Sequence, residues 1–289
     1  METVKGEHSI RLLCELLGVS RSGYYRWRRQ PTNARKRRDA ELSAQIAAAH
    51  RRGRGAYGAP RIVKELREMG TPISQRRCAR LMRELRLKGK KRHCRKPRTT
   101  DSRHGKPVAD NLLAQRPRPS GPNQCWAGDI TFIKTVEGWV YLAVILDLWS
   151  RKVVGWACGA TLHANLVLAA LFRAIAERRP PPGLMYHSDR GSQYVDADYR
   201  KALSDHGIDQ SMSRKETPGD NAFVESFFSS FKTESGVEEA IPTTRRDAEL
   251  ASFDYIESFY NTTRRHSSLG YRSPVAFENQ GSTKDIKAA

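Results

Sequence analysis

Three carboxylates stand out by their surroundings. Asp129 lies in Trp126-Ala127-Gly128-Asp129-Ile130-Thr131-Phe132, at the start of a β-rich run. Asp189 follows a second such run, in His187-Ser188-Asp189-Arg190-Gly191-Ser192-Gln193-Tyr194. Glu225 lies in a helical stretch, Asp220-Asn221-Ala222-Phe223-Val224-Glu225-Ser226. Carboxylates gathered in one place repel unless divalent cations lie between them. Two Mg²⁺ ions about 3.5–4 Å apart, held by oxygen ligands, are the usual device for in-line displacement at phosphorus. The chemistry these residues suit is therefore attack on a phosphodiester. Taken singly, Asp129 reads as a surface strand residue and Asp189 as a turn residue. Only the trio in its setting points to metal.

Helical geometry extends the set. With Asn221 at 0° and 100° per residue, Glu225 falls near 40° and Lys232 near 20°. Phe223, Val224, Phe227, Phe228 and Phe231 fall between about 200° and 340°. One face would pack on a sheet while its polar edge meets the two aspartates, with Lys232 placed for a DNA phosphate. Ser213 to Gly219 is polar and broken by Pro218 and Gly219, which reads as a loop beside the site. Arg190, Gln193, Arg214 and Lys215 are further candidates for substrate contact.

The elements that must position these residues are legible from Gln124 onward. Ile130–Ile133, Val140–Leu146 and Val153–Cys158 read as a three-stranded meander. An amphipathic helix, Asn165–Arg178, ends at Pro180-Pro181-Pro182-Gly183. Leu184–Ser188 reads as a fourth strand, Ala197–His206 as a helix, and Gln210–Ser213 as a short fifth strand. Strands mixed with helices in this order predict an α/β core. Tyr260, Asn261, Arg264 and His266 lie near the end of a helix from about Thr244. They either bind DNA or tie the terminal extension to the core, and sequence alone leaves both open. His187 and His266 read as structural or supporting groups rather than metal ligands.

Charge separates the halves. Residues 1–120 hold 32 Lys and Arg against 10 Asp and Glu, a net of +22; residues 121–289 hold 19 against 21, a net of −2, together the +20 of the chain. A basic half beside a near-neutral half predicts a nucleic-acid-binding part attached to a separate core. Ser9–Arg29 reads as a helix-turn-helix. Leu12, Leu13, Leu16 and Leu17 form its apolar stripe, Gly18 its break and Ser20 its second cap. Arg21, Arg26 and Arg28 share the second helix with Tyr24, Tyr25 and Trp27, a mix suited to phosphate and groove contact. Arg35–His50 reads as a connecting helix. A second helix-turn-helix follows, with Pro60 in the first turn of one helix and Ser74 capping the next, which carries Arg76, Arg77, Arg80 and Arg83. Ile62, Leu66, Ile73, Cys78, Leu81, Met82 and Leu85 are its expected core. Gly89–Pro122, rich in Lys, Arg, Pro and Gly, reads as a linker extended or disordered without DNA.

No apolar run reaches the roughly 20 residues needed to span a bilayer, and no signal core opens the chain. A cytosolic location is expected, with Cys14, Cys78, Cys94, Cys125 and Cys158 as free thiols. His93, Cys94 and His104 lack paired ligand spacing, so no zinc site is expected.

The ordered motifs carry a family resemblance. Asp129, Asp189, a 35-residue gap, Glu225 and then Lys232 resemble the Asp-Asp-Glu core of retroviral-type integrases. Ser211-Met212-Ser213, Glu225-Ser226-Phe227-Phe228, Lys232-Thr233-Glu234 and the run from Tyr260-Asn261 through Arg264, His266 and Leu269-Gly270-Tyr271 to Ser273-Pro274 narrow it. Together they resemble the second-frame (OrfB) transposase of the insertion-sequence-three family. The match extends from about Arg54 to Phe277. It implies an RNase H-like core, a mixed five-stranded sheet with helices, preceded by an all-α helix-turn-helix region. The expected domains are 1–50, 51–88, a linker 89–122, a catalytic core 123–278 with a helical extension, and a tail 279–289.

The resemblance also implies that Asp129, Asp189 and Glu225 hold two Mg²⁺ ions, with Mn²⁺ able to substitute. The implied partners are double-stranded DNA, as element terminal repeats and target, a homo-oligomeric partner, and an upstream first-frame protein. The implied setting is bacterial. Gly128 and Phe132 beside Asp129, and Glu216-Thr217-Pro218-Gly219 in the loop, depart from the familiar text but spare the carboxylates. Two other readings stand beside transposition: an RNase H-like nuclease that cuts without joining, and a non-catalytic helix-turn-helix DNA-binding protein.

Overall fold

The computed structural model describes residues 6, 8–29, 34–90, 108–214 and 221–280. The chain divides into two compact units, Met1–Gly89 and Lys90–Ala289.

The helices described in the first unit are α1 (Ile10–Leu16), α2 (Arg21–Arg29), α3 (Ala34–Arg52), α4 (Ala59–Glu68) and α5 (Gln75–Glu84). Serine hydroxyls satisfy amides that the first turn leaves without a partner. Ser9 Oγ accepts from Leu12 N–H at 3.3 Å, Ser20 Oγ from Gly23 N–H at 3.0 Å and Ser74 Oγ from Arg77 N–H at 3.3 Å. In α1 and α2 only Leu13, Cys14 and Tyr24 are buried. Leu12, Leu16 and Leu17, predicted as an apolar stripe, are exposed.

The predicted connector behaves differently from its expectation. It spans Ala34–Arg52 and packs on both α4 and α5. Leu42, Ile46 and Ala49 recur at helical spacing and share a buried core with Ile62, Leu66, Ile73, Cys78, Leu81 and Met82. A boundary at residue 50 would cut this core, so α3 belongs with α4 and α5. Leu85, expected inside it, is exposed past the end of α5.

The second unit is built on one five-stranded sheet in the order β3-β2-β1-β4-β5. The strands are β1 (Cys125–Thr135), β2 (Gly138–Asp147), β3 (Val153–Gly159), β4 (Met185–Ser188) and β5 (Asp209–Met212). β1, β2 and β3 pair antiparallel, whereas β4 runs parallel to β1 and β5. Helices α6 (Ala164–Arg178) and α7 (Ala197–Asp205) cover one side, burying Trp126, Ala143, Ile145, Val154, Leu171, Tyr186 and Tyr199. Helix α8 (Ala222–Glu234) and helix α9 (Arg245–Phe253) also pack on β1 and β2. The chain continues from α9 as a π-helix, Asp254–Tyr260.

The predicted linker is only partly a linker. Among its described residues, Val108 onward is held on the outer strand. Met212 N–H donates to Asp110 O at 3.2 Å, Leu112 N–H donates to Ser211 Oγ at 2.9 Å, and Arg116 pairs with Asp209 at 2.8 Å. These are backbone and polar contacts, so no apolar periodicity announced them.

Cys14, Cys78, Cys125 and Cys158 are free. Burial pushes the Cys78 thiol up to about 11 and those of Cys125 and Cys158 to about 12. His93, Cys94 and His104 lie outside the described residues.

Candidate active site

Parallel pairing brings the two aspartates together. Cys125, Trp126 and Ala127 face Met185, Tyr186 and His187, and pairing stops there. Asp129 and Asp189 each lie two residues beyond the last pair, so the register sets them side by side where the strands part. Asp129 was expected to open its strand; it lies inside β1, opposite Val144 of β2. Ala127 and Gly128 are poor strand formers and hid the start of β1. Alternation then fixes the direction of each side chain. Trp126 and Ile130 belong to the core under α6 and α7, so Asp129 points to the opposite side, where α8 lies.

Gly128 is required by a close approach. A Cβ there would stand 1.8 Å from Tyr186 Oη and 2.7 Å from its Cζ. The Tyr186 ring is fully buried and packed on Tyr194 and Tyr199, so it has little room to yield. Gly128→Ala is expected to destabilise the second unit by about 1–3 kcal/mol, the usual cost of overpacking. Tyr186→Phe, which removes the nearer atom, should recover part of that loss. Urea unfolding of the two single variants and the double variant reads the coupling, and strictly additive losses would contradict it.

Asn221 ties the third carboxylate to the first. Its Nδ2 donates to Gly128 O at 3.2 Å, and its own carbonyl accepts from Glu225 N–H at 3.2 Å. The residue that opens α8 is thus fastened to the neighbour of Asp129, with Glu225 one turn further on. In the sequence Asn221 served as part of the Asp220-Asn221-Ala222 motif and as an angular reference, with no role given to its side chain. The glycine inside a strand was the available sign that something approaches closely there.

The trio is not fully assembled. Asp129 and Asp189 are half-buried, whereas Glu225 is exposed. Among the described residues no three His, Cys, Asp or Glu side chains gather closely enough to hold a metal ion. The electrostatics nonetheless register all three. Burial first, and then the charge of Asp189, hold the Asp129 carboxyl well above the usual carboxylate range; Glu225 adds to this and the Ile130 N–H opposes it. A carboxyl raised in the folded state costs the fold stability as pH climbs past its unfolded value. A cation beside it would offset that cost, so this hard-oxygen donor set fits a divalent metal.

The supporting residues divide. Asp189 Oδ1 accepts from Gly191 N–H at 2.9 Å, which fixes the turn. Arg190 Nε donates to Ser213 O at 2.8 Å, holding the exit of β5. Gln193 is half-buried in the same turn, Arg214 is exposed, and Lys215 lies outside the described residues. His187 is fully buried, with Nδ1 2.9 Å from Ser211 Oγ and Nε2 3.1 Å from Ser213 Oγ, a structural bridge to β5. Lys232 is half-buried on α8 and makes no ion pair among the described residues. Phe223, assigned to the apolar face, is instead exposed, with the Arg151 guanidinium 3.8 Å from its ring centre.

The open choice for the C-terminal motif resolves toward architecture. Arg264 and Glu234 form a buried ion pair, with Nε–Oε2 at 2.5 Å and Nη2–Oε1 at 2.7 Å. Tyr255 Oη donates to Glu234 Oε2 at 2.9 Å, and Arg264 Nη2 donates to Ser230 Oγ at 3.1 Å. Asn261 Oδ1 accepts from Val153 N–H at 2.9 Å while its Nδ2 donates to Val153 O at 3.0 Å. The Tyr260 ring meets Phe227 and His266 edge-on at 4.7 and 4.8 Å.

In the first unit, Arg21, Arg26 and Arg28 are exposed on α2 and Arg76 on α5. Arg77 and Arg80 are instead half-buried and paired with Asp39 of α3. Among the described residues no helix is long and apolar enough to cross a membrane.

Comparison with known proteins agrees with this division. Residues 119–218 match a family model described as Integrase core domain, residues 206–274 a second model of that description, and residues 36–95 one described as HTH-like domain. The chain is 45% identical over 269 residues to an insertion element IS600 uncharacterized 31 kDa protein of Shigella sonnei, covering 93% of this chain and 98% of that one. It is 42% identical over 282 residues to Transposase InsF for insertion sequence IS3A of Escherichia coli (strain K12), covering 97% of each. The HTLV-2 integrase catalytic core domain, solved in complex with magnesium, is 17% identical over 56% of this chain and 99% of that one, with a TM-score of 0.44.

Proposed function

This chain belongs to the IS3 family of transposases, with an integrase core of RNase H-like architecture behind a helix-turn-helix-like region, and we propose that Asp129, Asp189 and Glu225 are its catalytic carboxylates. Its function is DNA transposition, a polynucleotidyl transfer. The observation that carries the site assignment is the β1–β4 register, which sets Asp129 beside Asp189 at the point where the strands part.

The carboxylates would hold two magnesium ions, with manganese able to replace them. When bound, these supply Lewis-acid polarisation of the phosphate and a more acidic attacking oxygen. The protein's own part is positional. The sheet fixes Asp129 and Asp189, and the Asn221–Gly128 hydrogen bond holds the start of α8 so that Glu225 can close on them. A phosphodiester at the element end is hydrolysed, leaving a 3′-hydroxyl. That hydroxyl then attacks a second phosphodiester, and the displaced 3′-oxygen leaves with its electron pair. The number of bonds is conserved at the joining step, so no outside energy source is needed. The chain works as a homo-oligomer in the bacterial cytoplasm, assisted by or fused to an upstream first-frame DNA-binding protein.

Incubating the full chain with its own element ends, a target duplex and Mg²⁺ tests this. Cleavage followed by joined product is expected. Cleavage that never yields joined product would mark a nuclease, and binding without cleavage a regulator.

Lys232 offers a finer test. It lies two turns beyond Glu225 on the same edge of α8, within a side chain's reach of DNA held at the site. Lys232→Ala should weaken end binding and joining by about 1.5–3 kcal/mol, typical for a hydrogen bond to a charged group. Its melting temperature should stay close to that of the parent, because a lysine that makes no ion pair among the described residues contributes little to stability. Lys232→Arg should keep part of the activity. Undiminished joining by the alanine variant would show a solvated lysine.

A further inference from the structure

The strongest unassigned feature lies in the first unit, across α3 and α5. Arg35 and Arg38 of α3 and Arg76, Arg77, Arg80 and Arg83 of α5 line one open groove. Six guanidinium groups on one surface attract any nucleic acid, whatever its sequence. Three of the six are already engaged: Arg38 Nη1 lies 2.9 Å from Glu41 Oε2 one turn along its own helix, and Arg77 and Arg80 both meet Asp39. Asp39 Oδ1 accepts from Arg77 Nε at 2.8 Å and lies 2.7 Å from its Nη2, while Asp39 Oδ2 accepts from Arg80 Nη2 at 2.7 Å. The other arm of Arg80 meets Glu84 at 2.7 Å. Arg35, Arg76 and Arg83 make no ion pair among the described residues.

Planar guanidinium groups bind carboxylate and phosphate oxygens through the same paired N–H donors. Asp39 therefore occupies, from inside the protein, the donors that a DNA phosphate would use. The consequence is electrostatic. Arginines satisfied by a neighbouring carboxylate displace fewer counterions from DNA than free ones do, so their share of sequence-independent attraction is muted. We propose that Asp39 is a specificity-determining residue, an internal counter-ion that withholds Arg77 and Arg80 from non-specific duplex binding. Sequences that offer further contacts across the groove are favoured by that restraint. The inference rests on the reading of the first unit as a DNA-binding module.

The test uses the full chain and a mixed-sequence duplex of about three helical turns, titrated across a potassium chloride series. Asp39→Asn keeps the shape and removes the charge. It should bind this duplex more tightly than the parent at low salt, about tenfold. The slope of log affinity on log salt should steepen by up to about 1.8, two phosphates at about 0.9 each. Adding Arg77→Gln and Arg80→Gln to that variant should erase the gain. An unchanged or shallower slope for Asp39→Asn, with helical circular dichroism retained, would overturn the proposal and leave Asp39 as a pin between α3 and α5. Should that variant lose its helices, the triple variant decides, because it removes all three charges together. A slope shallower than the parent's by about 0.9 or less supports masking. A loss of about 1.8 means both arginines reach phosphates with Asp39 in place, which overturns it. A parent chain that binds no duplex at all overturns the DNA-binding reading and this inference together, whereas a parent that binds alongside an indifferent Asp39→Asn removes only the inference.

Discussion

Asp189→Asn is expected to abolish strand cleavage and joining while leaving duplex binding and folding intact. The amide keeps an oxygen where Oδ1 accepts from Gly191 N–H, so the turn that carries residue 189 survives. What is lost is the negative charge beside Asp129. With that repulsion gone, one of the causes that raise the Asp129 carboxyl disappears, and the metal-free protein should melt no lower than its parent. The rate is another matter. A metal supplies several kcal/mol of charge stabilisation in the transition state, and each 1.36 kcal/mol is a factor of ten, so a loss of at least about a thousandfold is expected. Asp129→Asn and Glu225→Gln should match it. A second readout is independent of turnover: the rise in melting temperature on adding Mg²⁺ should be present in the parent and absent in Asp189→Asn. Cleavage near the parental rate in any of the three would falsify the carboxylate assignment.

Arg264→Ala should produce the largest loss of stability of any substitution considered. Arg264 and Glu234 are 2% and 5% exposed, thirty residues apart in sequence, and joined through two guanidinium nitrogens. Removing one partner leaves an uncompensated buried charge, at about 3–5 kcal/mol. In a domain of this size that lowers the melting temperature by roughly 10 °C, at about 2–4 °C per kcal/mol. Glu234→Gln should cost less, because the amide oxygen still accepts from Arg264 and Tyr255 while its NH₂ faces a cation. Replacing both partners by apolar residues of similar volume should recover much of the loss, since an apolar pair avoids desolvating two ions. Thermal melting of the single and double variants checks this. An Arg264→Ala protein that melts with its parent would show that the pair contributes nothing.

The sequence carried the local structure well and the long-range charge poorly. The succession of strands and helices along the core, the helix at Arg21–Arg29 and the helix bearing Glu225 follow from periodicity and punctuation, and the structure has them. Phe223 shows the limit of angular reasoning. Its angle matches a packed face, but it lies in the first turn of α8, where the sheet no longer covers it, and it faces Arg151 instead. Arg77 and Arg80 looked like free phosphate ligands because their partner is 38 and 41 residues away on another helix. Glu234 with Arg264, and Asn261 with Val153, are similarly silent until the chain folds. The aspartates were legible as a pair only through the family resemblance, whose fold sets their two strands side by side; the parallel register that levels them comes from the structure. Glu225 was legible only as a neighbour, and the structure leaves it exposed.

The dressing of the sheet has a consequence for solubility. Outer strands present unpaired amides and carbonyls, and these recruit strands of other molecules into aggregates. Here both margins are blunted from within. On β3, the Asn261 side chain engages the amide and carbonyl of Val153 as a neighbouring strand would. On β5, the Met212 amide donates to the Asp110 carbonyl, and the Leu112 and Leu113 amides anchor that segment on the Ser211 hydroxyl. Copies of this chain that meet at high concentration therefore find these stretches of edge already taken. Fibrillar association through them would require first stripping away a side chain or a segment that the fold has committed, so a truncation that begins after residue 119 is expected to be the form that precipitates.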